Sequence, residues 1–216
     1  MRNRIAVLLA ATMATALLVG SGVAAAATAA PTSLKGGMSA AKGGGVARLA
    51  AEEPNDYGPY VIENMITHYC VDIPGYGPGY VNAPVTQFTC NYWMDDDNQF
   101  FWFKYVQSVY VPSLGYDRDL YTIRNVDDDL CLDVSGYGWV APGAKVSEYY
   151  CNHSNSDNQL YYEVSKYVAG TYVGRWFVNY KSGLCLDVEG YANGGPNTRL
   201  GLYTCSMSDD HLWTIR

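Results

Sequence analysis

The chain has 216 residues, with 14 Lys and Arg against 21 Asp and Glu and a formal net charge of −7. The acidic surplus lies from Tyr57 onward, where nine basic residues face 18 acidic ones. Such a surface lacks the positive footprint that DNA, RNA and anionic membranes require, and a neutral ligand fits it better.

Residues 1–30 read as an export signal. Arg2 and Arg4 form a positive start, Ile5 to Val19 is apolar apart from threonine, and Ala24 to Ala30 is rich in small residues. Cleavage after Ala26, Ala27 or Ala29 satisfies the small-x-small preference. The apolar stretch is too short to cross a bilayer, and no other segment approaches the roughly 20 residues needed. A secreted protein with no membrane insertion is therefore expected. Residues 31–56 carry Gly, Ala, Ser, Lys and Glu and read as a flexible linker, unable to bury enough surface to offset its ordering entropy. Gly43–Gly45 has no following Lys-Ser/Thr and belongs to that linker, not to a phosphate loop. All 20 tyrosines, five tryptophans and six cysteines lie from Tyr57 onward, which leaves residues 57–216 as one domain able to build a core.

That domain is a threefold repeat, over about 57–106, 119–166 and 171–216. The segments VIENMITHYCVDIPGY, TIRNVDDDLCLDVSGY and FVNYKSGLCLDVEGY align without gaps at Asn64, Asn125 and Asn179, and again at Gly75-Tyr76, Gly136-Tyr137 and Gly190-Tyr191. Cys70 and Cys90, Cys131 and Cys151, and Cys185 and Cys205 are each 20 positions apart, so one disulfide within each repeat is the economical pairing. Zinc is the rival reading, but no C-x-x-C occurs and His68, His153 and His211 are scattered. No metal or cofactor is expected. The repeats close on DNQFF, DNQLY and DDHLW. Each holds short runs of Val, Ile, Tyr, Phe and Trp, such as YVIEN, CVDI, VTQFTC and FFWFKYV, bounded by Gly, Pro, Asn and Asp. The fold class is all-β with about four short strands per repeat. A single repeat cannot bury its own apolar face, so three must close around a shared axis.

The CLDV tetrad, the second cysteine 20 positions on and the closing Asn-Gln-x-aromatic resemble the ricin B-type (R-type) lectins, a family that includes carbohydrate-binding modules of bacterial glycosidases. The resemblance covers all three repeats. It implies a β-trefoil of about twelve strands with pseudo-threefold symmetry and up to three shallow sugar sites. The usual Gln-x-Trp ending is altered: Gln99 and Gln159 precede Phe101 and Tyr161, while Trp213 follows His211. In the family that aromatic is a core position.

By the same resemblance, each site pairs a carboxylate from the tetrad (Asp72, Asp133, Asp187) with an aromatic platform two before the second cysteine (Phe88, Tyr149, Tyr203). A carboxylate accepts charge-assisted hydrogen bonds from adjacent sugar hydroxyls, and a ring face covers the sugar's C–H surface. Polar support falls to Asn91, Asn98 and Gln99 in the first repeat and to Asn152, Asn158 and Gln159 in the second. In the third it falls to Ser206, Asp210 and His211, the most altered set. Two roles are open to Tyr76, Tyr137 and Tyr191, walling the site or packing on a hairpin. The acidic runs Asp95–Asp97 and Asp127–Asp129 lack the alternating ligands and glycine of a calcium loop and read as solvated turns. The expected function is a lectin for mono-, oligo- or polysaccharides, not an enzyme: acids repeated three times suit binding, whereas a glycosidase needs one unique pair. A trefoil that binds a protein partner is the alternative, and Gln107 to Arg118 is read as the protruding insertion that would serve it.

Overall fold

The computed structural model describes residues 55–94, 97–191 and 193–216, and all its elements are strands. The expected export signal, the linker as far as residue 54, and Asp95 and Asp96 lie outside the described residues. The last two linker positions do not behave as linker: the first strand, β1 (Asp56–Asn64), begins with Asp56, whose carboxylate is buried 2.5 Å from the Arg124 guanidinium. An ion pair taken out of water holds only with good geometry, so the domain edge is set by Asp56.

Twelve strands follow the threefold plan. The first repeat holds β1, β2 (Tyr69–Asp72), β3 (Thr86–Thr89) and β4 (Phe100–Val111). The second holds β5 (Tyr116–Asn125), β6 (Leu130–Val134), β7 (Ala144–Tyr150) and β8 (Tyr161–Val168). The third holds β9 (Thr171–Asn179), β10 (Cys185–Val188), β11 (Leu200–Tyr203) and β12 (Trp213–Ile215). Strands β1, β4, β5, β8, β9 and β12 pair antiparallel in that order, and β12 returns to β1, closing a six-stranded barrel without a free edge. The hairpins β2–β3, β6–β7 and β10–β11 cap one end, joined where β11 pairs with β7 and by bridges from Pro84 to Ser147 and Thr86 to Arg199. This is a β-trefoil.

Strand alternation sorts the side chains. Along β4, Phe101 and Phe103 enter the central core while Phe100 and Trp102 join a satellite cluster with Val61 and Val126. The closing aromatics Phe101, Tyr161 and Trp213 are all fully buried, and Trp213 donates its indole N–H to the Leu186 carbonyl (3.0 Å). The recurring asparagines staple one repeat to the next. Asn64, Asn125 and Asn179 donate to the backbone carbonyls of Asp210 (2.6 Å), Asn98 (2.6 Å) and Asn158 (2.5 Å), and their side-chain oxygens accept N–H groups of the turn that follows each strand.

Gln107–Arg118 is not a separate loop, but it does carry the extra length expected of an insertion. It is the end of the β4–β5 hairpin, turned through Pro112 to Gly115, which from Phe101 to Asn125 is six residues longer than the matching β8–β9 hairpin from Tyr161 to Asn179. The run Asp127–Asp129 is not a solvated turn either. Asp128 accepts the N–H groups of Gly79 and Leu130 (both 2.8 Å), and Asp129 pairs with Arg124. Asp128 also faces Glu148, whose carboxyl is raised to about 9 by burial and then by the Asp128 charge.

The three disulfides join Cys70 to Cys90, Cys131 to Cys151 and Cys185 to Cys205, with Cα separations of 4.9, 5.0 and 5.0 Å. Each closes a loop whose entropy is removed from the unfolded chain, a contribution of about 3 kcal/mol. A Cys131→Ser/Cys151→Ser variant should lose about that much in urea denaturation; an unchanged midpoint would show that the loop is already constrained when unfolded.

Candidate functional site

The second repeat shows the site most fully. In β6, Leu132 and Val134 point into the core, so Asp133 falls on the opposite face of the strand. The hairpin register sets Cys131 opposite Tyr149 and Asp133 opposite Ser147. Carboxylate and ring therefore share one face as diagonal neighbours, and the 16-residue spacing between them is the register itself. Asp133, Tyr149, Tyr137, Ser135, Gly136 and Asp157 line a cavity of about 300 Å³, with Asn82 from the first repeat. The turn after Asp133 needs positive φ at Gly136 (99°), which carries Tyr137 out to 76% exposure.

The first repeat repeats this geometry. Cys70 faces Phe88 and Asp72 faces Thr86, and Asp72, Phe88, Tyr76, Gly75 and Asp97 line a cavity of about 160 Å³ with Asn197 from the third repeat. Tyr76 and Tyr137 line these cavities together with Phe88 and Tyr149.

Buried amides fix each carboxylate. Gln159 donates to Asp133 (3.1 Å) and to the Tyr150 carbonyl (3.0 Å), and accepts the Asn152 N–H (2.7 Å). Gln99 does the same for Asp72 (3.0 Å), the Thr89 carbonyl (3.0 Å) and the Asn91 N–H (2.8 Å). Asn158 and Asn98 are buried and bind the turn backbone, accepting from Val134 and Ile73 and donating to the carbonyls of Gly136 and Gly75. These four amides hold the site and do not line it. Asn91 and Asn152 turn their side chains to the N–H groups of Trp93 and Ser154, so their part is a local turn and a backbone donor. Burial raises both Asp72 and Asp133 to about 6, opposed by the Gln99 and Gln159 hydrogen bonds and reinforced by Asp97 and Asp157 respectively.

A model of the ricin-type β-trefoil lectin domain-like family matches residues 48–149 and 111–203. The chain belongs to that family. Its resemblance to solved structures is to the fold. The designed threefold-symmetric protein ThreeFoil shares 19% identity at a TM-score of 0.53, over 72% of this chain and 96% of that one. The Rhizoctonia solani agglutinin shares 15% identity at 0.51, over 76% and 96%. A mosquitocidal holotoxin shares 18% identity at 0.51, over 74% of this chain and 17% of its own. No curated protein matches in sequence.

The third repeat departs from this ricin-type pattern. His211 replaces the amide: its Nδ1 accepts the Ser206 N–H (3.2 Å), which requires the ring proton on Nε2, 2.7 Å from the Asp187 carboxylate. The ring thus takes glutamine's place, accepting at one end and bringing its other nitrogen close to the carboxylate. Asp187, Asp209 and His211 offer ligand atoms within 4.8 Å of one another, but ligation through Nε2 would put the ring proton on Nδ1, which faces the Ser206 N–H. Asp210 stands where the other repeats have asparagine, and burial, with Asp187 beside it, raises its carboxyl to about 8. Tyr203 is folded down over Gly201: a Cβ there would meet the ring at 3.0 Å, where Thr86 and Ser147 carry side chains in the other repeats.

Sequence reasoning missed Asp97 and Asp157, although an Asp opens all three closing motifs, and it missed Asn82 and Asn197. A further cavity of about 200 Å³, lined by Asp117, Arg118, Asp119, Tyr121 and Glu163, lies on the barrel strands. Its one ring is packed against Tyr57, Phe103 and Tyr105 and offers no open platform.

Proposed function

We propose that this protein is an exported lectin that binds neutral sugars through its first and second repeats, and that residues 1–30 direct its export. The observation that carries the reading is the cavity of the second repeat, where a buried, amide-braced Asp133 lies between two rings, the half-exposed Tyr149 and the exposed Tyr137. A carboxylate accepts from vicinal hydroxyls while the rings cover the C–H face. Trp93, Trp139 and Tyr191 are further exposed rings of the domain. Membership in a lectin family supports the same reading. The family's sugar chemistry explains why acids recur in register with rings, which a purely structural repeat does not require.

The test is binding of the mature chain to an array of neutral glycans, followed by titration calorimetry. A site open to water should hold a monosaccharide near millimolar, about 4 kcal/mol. Engaging two sites on one polysaccharide should tighten binding by about 10²-fold. Equal affinity for monomer and polymer would leave one working site, and an array without binding would overturn the reading. The alternative, a protein-binding trefoil, rests on the six residues by which the β4–β5 hairpin exceeds its counterpart β8–β9.

A further inference from the structure

We propose that each of the two working sites is shared between repeats, completed by an asparagine that the preceding repeat holds in left-handed conformation: Asn82 for the second site and Asn197 for the first. The inference rests on the sugar-binding reading and goes beyond it to the residues that set which sugar is chosen.

The placement is built into the fold three times. Ten residues after Asp72, Asp133 and Asp187 the chain takes positive φ, at Asn82 (68°), Gly143 (90°) and Asn197 (66°). Each of these residues donates its N–H to the next repeat, to the carbonyls of Glu148 (2.8 Å), Leu202 (2.8 Å) and Gln87 (2.7 Å). Those acceptors immediately precede the platform rings Tyr149, Tyr203 and Phe88. The chain answers in the other direction at both proposed sites, from the Glu148 N–H to the Ala83 carbonyl (3.0 Å) and from the Gln87 N–H to the Thr198 carbonyl (2.9 Å). The left-handed residue is therefore fixed beside a ring that belongs to another repeat.

Glycine satisfies this backbone at position 143, so the conformation alone does not call for asparagine. What asparagine adds is a side chain at the cavity wall. Asn82 lines the cavity with Asp133 and Tyr149, and Asn197 lines the one with Asp72 and Phe88. Both are exposed, and neither side chain engages a protein group among the described residues. Chemically the pairing is complementary. The carboxylate only accepts, whereas a carboxamide also donates, so a sugar with adjacent hydroxyls can give one hydrogen bond and receive another. The angle between the two groups then selects the orientation of those hydroxyls, and that angle is set by packing between repeats. The third site has Gly143 in this place, with the Tyr203 hydroxyl 3.7 Å from where a Cβ would stand. The geometry thus assigns two complete sites to the chain.

The experiment uses Asn→Gly variants, which keep the left-handed backbone, and calorimetry with the methyl glycosides of galactose, glucose, mannose and xylose. In an Asp72→Asn/Asp187→Asn background only the second site remains. There Asn82→Gly should weaken the preferred sugar about two- to tenfold, the weight of one neutral hydrogen bond, and narrow its margin over the other three. Asn197→Gly should change nothing there. In an Asp133→Asn/Asp187→Asn background the two variants should exchange roles. Unchanged affinity and preference in both backgrounds would overturn the shared site, as would equal losses from both variants in either one, since that signature is structural. If the unmutated chain binds none of the four glycosides or their polymers, the lectin reading falls and takes the shared site with it.

Discussion

Affinity for a neutral monosaccharide should fall about tenfold between pH 7 and pH 5 and about a hundredfold by pH 4, while the fold persists. Asp72 and Asp133 are raised to about 6, chiefly by burial. Only the ionised carboxylate accepts from two hydroxyls, so binding should follow its ionised fraction, which falls tenfold per pH unit below the pKa. The effect on stability has the opposite sign. These folded-state values lie above the unfolded value of 3.8, so between about pH 4 and 6 the native state holds more protons than the unfolded one. The contribution of these two groups to stability is therefore largest in acid and declines as pH rises toward 6. Calorimetry at pH 7, 6, 5 and 4, with circular dichroism melts at each pH, separates the two trends. Binding lost together with the fold would point to acid unfolding, and binding constant from pH 7 to 4.5 would remove the carboxylates from the site.

The pairing of carboxylate and ring was legible because it is a within-hairpin property. A fixed spacing of 16 in three repeats is a register, and strand alternation then places both groups on one face. The disulfides and the closing aromatics were legible for the same reason, as positions inside one repeat. That the extra residues of Gln107–Arg118 lengthen a hairpin was not read, even though Pro112 and Gly115 mark its turn, because alternation weakens through Lys104 to Gln107, where the ladder slips register. Asn82 was not legible at all. It lies 51 positions before Asp133, in a different repeat, and its contribution exists only once the three hairpins have met. The amides carried a subtler lesson: Asn98, Gln99, Asn158 and Gln159 recur as strictly as the site does, yet recurrence reports what the trefoil needs as well as what a ligand needs.

Replacing Asp133 with Asn in an Asp72→Asn/Asp187→Asn background should weaken monosaccharide binding ten- to a hundredfold, the largest single-residue effect expected. Asparagine keeps the shape and can still accept from Gln159, but it loses the charge and presents a donor where a sugar hydroxyl needs an acceptor. Losing one partner of a charged hydrogen bond costs about 1.5–3 kcal/mol. Tyr149→Ala should cost a comparable amount by removing the ring that Asp133 faces diagonally. Asp128→Asn is no neutral control, because Asp128 holds Gly79 and faces Glu148 beside Tyr149; Asp117→Asn, at the exposed start of β5, should leave binding unchanged. Stability supplies the independent readout. A carboxylate held above its ordinary pKa by burial is a cost to the folded state at neutral pH, so Asp133→Asn should leave Tm at pH 7 equal or higher while binding is lost. A lower Tm with weakened binding would mean that the substitution had damaged the hairpin. Undiminished binding by the folded triple variant would remove the carboxylates from recognition and return a protein partner to first place.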